Sequence, residues 1–382
     1  MAQLTEHLSR RFLARYGVPF GAHELVTTAC EAAEAAERVG GPVMVKSQVP
    51  LGGRGKAGAV LRAETPADAA AAFRAVTSVE MDGLRSAVAI VERWVAVDAE
   101  FYLAVVIDPQ ENGPVLLFSP HGGVDVEGAG ELRRVSMRLD GSVNAAAFRR
   151  SAYADKTPPR VVERLLGVAQ ALGRAYRTLD AQLVEVNPIG LLADGSLVAL
   201  DAHLLIDDNA LFRQPELSDL ISKMEPRRME DRVKEESRLD YVRLDGELGL
   251  ISGGAGLTMA AMDVIAAAGS TAACFLDCSA NPTKHGYGTA LDLLLADEQV
   301  AAILINIFGG LTHVDRVAAT LTALLAERPQ TKPITFRLMG TNVEQAEQVL
   351  RDVGIVNHPS LEQAVATAAA TLPRPATMKA IS

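Results

Sequence analysis

The sequence predicts a multidomain chain of mixed α/β and α+β class, and three observations lead there. Its 382 residues suffice for two or three domains that each bury a core. Beyond about residue 245 the pattern becomes a regular βα alternation, with apolar strands expected at 248–252, 272–277, 302–307 and 333–338, each followed by a helix. That rhythm belongs to a parallel, doubly wound sheet. Before it, shorter apolar strands such as 42–46, 87–92 and 102–107 alternate with alanine-rich helices and glycine loops. Domains are therefore expected over residues 1–240 and 241–382. The stretch 223–237, dense in both charge signs, reads as a solvated helix joining them, and 372–379 as a frayed end. No internal repeat is evident.

Apolar residues make up 49% and charged residues 22%, ordinary for a globular protein. Aromatics reach only 4%, so the cores must rest on Ala, Val, Leu and Ile. No apolar run approaches the length of a membrane-crossing helix. The start, Met1-Ala2-Gln3-Leu4-Thr5-Glu6-His7, lacks the basic residues and apolar run of a signal peptide. Cys30, Cys274 and Cys278 show no metal-ligand spacing, and their odd number argues against a disulfide framework. The expected compartment is a reducing cytoplasm, with no membrane partner. With 37 basic and 47 acidic residues, the net charge of −10 disfavours nucleic-acid binding, though a local basic pocket can still attract phosphate.

The densest glycine loop is Gly52-Gly53-Arg54-Gly55-Lys56-Ala57-Gly58. Such a loop lets backbone N–H groups approach phosphate oxygens, while Arg54 and Lys56 add positive charge. It does not match the P-loop spacing, so a flexible hairpin tip and a phosphate lid are both open readings. Lys46 ends an apolar strand, where an unpaired ammonium would be costly. A nucleotide phosphate resolves that cost, and so does a salt bridge.

Farther along, Glu185-Val186-Asn187-Pro188 and Val198-Ala199-Leu200-Asp201 flank Asp194-Gly195, a strong hairpin signal. A chain that folds back there brings Asn187 within about one register step of Asp201. Alternation puts Glu185 and Asn187 on one strand face. A carboxylate and an amide oxygen held close on rigid strands suit Mg²⁺, which takes few protein ligands and completes its shell with phosphates and water. The alternative is a surface hairpin whose polar residues face water.

Together Lys46, Gly53 to Gly58, Glu185-Val186-Asn187-Pro188, Asp201 and Asp208-Asn209-Ala210-Leu211-Phe212-Arg213-Gln214-Pro215 resemble the β subunits of succinyl-CoA synthetases, including malate–CoA ligase-like paralogues. The resemblance continues through Gly253-Gly254-Ala255-Gly256, Asn306-Ile307-Phe308-Gly309-Gly310 and Gly340-Thr341-Asn342. It implies an ATP-grasp domain followed by a flavodoxin-like CoA-ligase domain. It further implies an acid–CoA ligase, ADP- or GDP-forming, that uses ATP or GTP with Mg²⁺. Lys46 and Gly53, Arg54 and Gly55 would hold the nucleotide phosphates. Glu92, with the backbone at Val95, would contact the base or ribose, and Glu100 would complete the pocket. Asn187 and Asp201 would hold Mg²⁺, and Glu185 would orient a histidine that carries the phosphoryl group. In the family that histidine lies on a partner α subunit, which also binds most of the CoA; none of the seven histidines here sits in such a loop.

In a parallel α/β sheet, ligands collect beyond the carboxyl ends of the strands. The loops expected there are Ser252–Gly256, Ser279–Lys284, Gly309–Thr312 and Gly340–Asn342, whose glycines can bind a carboxylate or simply make tight turns. The resemblance places a small carboxylic acid near Gly253, Gly310, Leu311 and Thr312. Here the chain departs from the family. Gly253 replaces the usual asparagine, Leu311-Thr312 replaces a more apolar pair, and Cys278 to Gly288 replaces a glycine-rich stretch with a loop carrying Asn281, Thr283, Lys284 and His285. His203 stands where a lysine is usual and His121 where a glutamate is usual. The pattern implies a substituted short acid, such as malate, and puts succinate in doubt; a changed loop that faces solvent or the partner subunit would leave succinate preferred. A stand-alone carboxylate–amine ligase and a non-catalytic regulatory paralogue are the competing readings.

Overall fold

In the first unit of the computed structural model, Met1–Arg227, two sheets carry the chain. The described residues are 2–123, 132–225, 229–278, 283–329 and 331–372, so Asn281 and nearly all of the expected frayed end lie outside them. Among them, the larger sheet runs in the order Ala2–Gln3, Ala202–Ile206, Ala181–Leu191, Ala99–Asp108, Gly113–Ser119 and Arg133–Ser136, with Leu197–Ala199 also paired to Ala181–Leu191. The helix Pro159–Thr178 covers one face of it. Proline suits the first helical turn, where its missing N–H costs nothing, and Val162, Leu165, Leu166, Ala169, Leu172 and Ala175 recur at helical spacing as the buried stripe.

The smaller sheet runs His23–Val26, Ala89–Arg93, Val43–Ser47, Val60–Ala63. Helices Ala29–Val39 and Pro66–Ser78 pack alanines and Phe73 onto it. Thr28 caps the first, and a reciprocal Thr65–Asp68 capping box starts the second. The helix Glu6–Ala14, capped by Thr5, meets the smaller sheet through several side chains. The His7 backbone N–H donates to Gln48 (2.8 Å), and His7 Nδ1 lies 3.2 Å from Nε2 of His23 on the edge strand.

The second unit, Arg228–Ser382, is a five-stranded sheet in the order Asp240–Arg243, Ala272–Asp277, Leu248–Ser252, Ala302–Gly309, Ile334–Gly340 among the described residues. All pairs are parallel except the Asp240–Arg243 edge. The four expected strands appear where the βα rhythm puts them. Apolar residues on both sheet faces explain the doubly wound layers: Ile251, Ile305 and Phe336 pack one core, while Leu250, Leu304 and Ala364 pack the other. The charged segment after Lys223 differs from the fully solvated helix expected. Met229–Ser237 is helical, but Val233 is buried in the second unit's core. No helix among the described residues is long and apolar enough to cross a membrane, and all three cysteines are free thiols.

Two measurements test this packing. Gly173, inside the long helix, faces Gly141, and a Cβ there would lie 2.1 Å from the Gly141 carbonyl oxygen. Alanine improves helix propensity by roughly 1 kcal/mol, but the clash dominates. Gly173→Ala is therefore expected to lower unfolding stability by about 1–3 kcal/mol in denaturant titration. The second concerns His7 and His23. Burial lowers both imidazoles; each also lowers through cationic neighbours, Arg11 and Arg10 for His7 and Arg10 for His23, with Glu6 and Glu92 opposing. The unfolded chain takes up these protons near pH 6.5, whereas the folded chain resists them to lower pH. Stability therefore falls as pH drops below about 6.5. The melting temperature should decline between about pH 7 and pH 5.5, and less steeply in a His7→Gln/His23→Gln variant; parallel curves would remove the pair from the pH response.

Candidate nucleotide site

One cavity of about 690 Å³ opens in the first unit, within the size range of small-molecule sites. Lys46, Gly53, Arg54, Gly55, Glu92, Val95, Glu100, Glu185, Asn187 and Asp201 all line it. Residues far apart in sequence meet because the small sheet, the glycine loop and the Asp194-Gly195 hairpin converge there.

The floor of the cavity is a network of charges. Arg10 grips Glu92 with both guanidinium nitrogens (2.5 and 3.0 Å) and lies 2.6 Å from Glu6. Lys46 Nζ sits 2.5 Å from Glu92 and 3.2 Å from Glu6. Arg54 reaches Glu6 at 2.7 Å and both oxygens of Asp201 at 2.7 and 2.8 Å. Arg10 and Lys46 also donate to the Leu200 carbonyl, and Arg54 to that of Ser47. Three cations thus face three anions, all buried except Asp201, whose side chain is 39% exposed. Burial alone would raise the Glu6 carboxyl, but Lys46, Arg54 and Arg10 overcome this and hold it well below the usual carboxylate range. Burial alone would lower the Arg10 and Arg54 guanidiniums; Glu6 with Glu92, and Asp201 with Glu6, raise them instead.

Lys46 therefore resolves its burial by ion pairs. Glu92 lines the cavity with both oxygens already engaged by Arg10 and Lys46. Sequence reasoning missed Glu6 and Arg10. Their only local signal is an opposite-charge i, i+4 pair after the Thr5 cap, indistinguishable from an exposed helix pair until burial is known.

The hairpin forms as its turn residues imply. Leu197 pairs with Leu191, Ala202 with Val186, and the Asn187 N–H donates to the Asp201 carbonyl (3.3 Å). The Asn187 amide oxygen accepts from the Gly123 N–H (2.7 Å), and its Nδ2 donates back to the Gly123 carbonyl (3.2 Å). Asp201 also accepts from the Ala202 N–H (2.7 Å). Asn187 Oδ1 and Asp201 Oδ2 each accept one hydrogen bond and keep capacity for another, and both residues line the cavity, so the donor set fits Mg²⁺ completed by phosphate oxygens. No cluster of three or more His, Cys, Asp or Glu side chains among the described residues forms a protein-only metal cage. Glu185 pairs across the ladder with His203, whose Nε2 lies 2.6 Å from the Gln3 amide nitrogen and whose imidazole burial lowers. Glu100 approaches the same loop: a Cβ on Gly123 would lie 3.0 Å from its Oε2.

In the second unit, the expected acid-site residues lie at the carboxyl edge of the sheet. Gly253 follows Leu248–Ser252, and Gly310, Leu311 and Thr312 follow Ala302–Gly309, with Leu311 almost fully exposed. The Thr341 N–H donates to the Gly309 carbonyl, and its hydroxyl to that of Gly310, both at 2.8 Å, which ties two edge loops together. Beneath them Asp277, Ser252, Asn306 and Arg337 stand in register across four strands. The Gly254 N–H donates to Asp277 (2.7 Å), and Arg337 donates to Asn306 (3.1 Å). One expectation changes. Lys284 and His285 are not in a loop but open the helix Lys284–Ala296, exposed, with Thr283 as its cap. The Thr283 hydroxyl accepts from the Gly286 N–H (3.1 Å), and this cap starts the helix even though Gly286 and Gly288 follow it closely.

Two family models match successive stretches of the chain. Residues 3–191 match the family model of the ATP-grasp domain and residues 251–371 that of the CoA-ligase. The chain is 37% identical over 371 residues to the ADP-forming succinate–CoA ligase subunit beta of Roseiflexus sp. (strain RS-1), covering 95% of this chain and 97% of that one. It is 35% identical over 371 residues to the GDP-forming succinate–CoA ligase subunit beta of Thermus thermophilus, covering 96% and 98%. The solved structure of ATP citrate lyase from Methanothrix soehngenii shares the fold, with a TM-score of 0.70 at 21% identity over 97% of this chain and 99% of that one. With an ATP-grasp half that gathers the charged cavity and a CoA-ligase half that follows it, this chain belongs to the family of succinate–CoA ligase β subunits.

Proposed function

We propose that this chain is the nucleotide-handling subunit of an acid–CoA ligase, working in the cytoplasm with an α subunit that carries the phosphorylated histidine and most of the CoA site. What supports this reading is that Lys46, Arg54, Asn187, Asp201 and Glu185 meet in one cavity. Arg54, with Lys46 behind it, and the N–H groups of the glycine loop hold the triphosphate of ATP or GTP. Asn187 and Asp201 would hold Mg²⁺, which would supply charge neutralisation at the phosphate oxygens. A partner imidazole nitrogen attacks the terminal phosphorus, the bond to the bridging oxygen breaks, and the nucleoside diphosphate leaves. Glu185 accepts the imidazole's other N–H, which fixes the tautomer and favours the positive charge that develops on the ring.

The phosphoryl group then passes to an oxygen of a small carboxylate at the edge that bears Gly253 and Gly310. The CoA sulfur displaces phosphate from the acyl carbon, forming the C–S bond. A substituted acid fits this chain better than succinate. Gly253 deletes a side-chain amide worth roughly 1.5–3 kcal/mol when it donates to a charged acceptor. A Cβ at Gly253 meets only Ile307 Cγ2, at 3.6 Å, so nothing in the packing demands glycine there. Thr312 offers a hydroxyl nearby.

Two experiments follow. In calorimetry, Asp201→Ala should weaken Mg–nucleotide binding at least about tenfold, roughly the worth of one charged contact. Glu185→Gln should leave that binding within about twofold while phosphorylation of the partner histidine slows. Equal loss in both would put Glu185 in the metal shell. In the second, the chain is assayed alone and after co-expression with its partner, using succinate, malate and related acids in competition. The chain alone should show no acyl-CoA formation, and the complex should prefer a substituted acid by kcat/KM. Gly253→Asn should move that preference back toward succinate. Turnover by the isolated chain would favour the stand-alone ligase, and a clear succinate preference would defeat the acid assignment.

A further inference from the structure

The sequence has one tryptophan, Trp94, and it lines the nucleotide cavity. It follows the strand Ala89–Arg93, and its backbone N–H donates to the Pro42 carbonyl (2.9 Å), which fixes where the ring begins. The Arg62 guanidinium carbon stands 3.9 Å from the centre of the ring, having reached across the strand that carries Met44. An ion pair to Glu64 (2.9 Å) engages Arg62 in turn. Arg62 does not line the cavity, whereas Trp94 does. The cation covers one face of the indole, and the residue as a whole stays 37% exposed.

Chemistry along the cavity wall divides in the same sense. Met44, Val95 and Val97 line it beside Trp94, while Lys46, Arg54 and Asp201 form the charged floor. A ligand that fills both parts is apolar and flat at one end and anionic at the other. A nucleotide has that form, with its base at one end and its phosphates at the other.

We propose that Trp94, backed by Arg62, is the stacking platform for the purine base. The inference rests on reading the cavity as a nucleotide site, and it names the residue that recognises the base. Aromatic stacking is tolerant of base identity because every base presents a π face. The platform therefore serves adenine and guanine alike, and the choice between ATP and GTP falls to hydrogen bonds at the base edge. Arg62 acts as a positioning residue. Its cation–π contact restrains the ring before the ligand arrives, which reduces the ordering that binding requires.

The test uses the full chain with Mg–ADP, Mg–GDP and inorganic tripolyphosphate as a base-free probe. Binding of either nucleotide should change the intrinsic fluorescence, since Trp94 is its one indole source. Trp94→Ala should weaken ADP and GDP by similar factors, roughly tenfold to a hundredfold, with tripolyphosphate affinity within about twofold. Trp94→Phe should recover most of the loss, because a phenyl ring keeps the π face. Unchanged nucleotide affinity in Trp94→Ala, or equal weakening of tripolyphosphate, would overturn the platform. If the unsubstituted chain binds tripolyphosphate but no nucleotide, the platform falls alone. If it binds neither, the nucleotide reading of the cavity falls with it.

Discussion

The first unit depends on six charged groups, five of them buried, that cannot be placed separately. Glu6 and Arg10 come from the first helix, Lys46 and Glu92 from the small sheet, Arg54 from the glycine loop and Asp201 from the hairpin. Each element is held to the others through this network, and Leu200 adds a backbone carbonyl to two of its cations. A buried ion that loses its partner costs about 3–5 kcal/mol, so the four elements must assemble together. The network is also balanced, three against three. Its positive groups are consequently aimed and restrained before any phosphate arrives, which is the arrangement that makes electrostatic stabilisation effective in a water-poor site.

That balance has a consequence for the chain's affinity for anions. With a net charge of −10, the protein as a whole repels a polyphosphate. Lys46 and Arg54 do not change this on their own, because Glu6, Glu92 and Asp201 already answer them. Under the proposed function, binding draws on a divalent cation beside Asp201 and Asn187, on the backbone N–H groups of the glycine loop and on an apolar contact for the base. Each term is modest, and the cavity brings all of them within one small volume.

In the second unit the corresponding constraint is the parallel sheet. It sends every strand in one direction save at the edge, so Gly253, Gly310 and Thr341 emerge on the same rim although nearly ninety residues separate the first from the last. The hydrogen bonds from Thr341 to Gly309 and Gly310 join neighbouring loops into one surface. The close approach at Gly340, where a Cβ would fall 2.1 Å from the Gly309 carbonyl oxygen, shows why that position carries glycine.

Much of this was legible in the linear sequence, and for local reasons. The βα rhythm after residue 245 repeats apolar runs of strand length, and the observed strands Leu248–Ser252 and Ala272–Asp277 coincide with them. Asp194-Gly195 fixed a turn, and the turn fixed the register that sets Asn187 beside Asp201. Glycine and charge at 52–58 marked a loop of unusual chemistry. Other features became visible only in three dimensions. Glu6 and Arg10 look like any exposed i, i+4 pair, Trp94 like any surface aromatic, and Lys284 and His285 like loop residues until Thr283 is seen capping their helix. Local periodicity and turn chemistry determine which residues form strands, helices and reversals. Burial, and the partners a buried charge must find, depend on chain segments up to two hundred residues apart, and only the tertiary structure decides them.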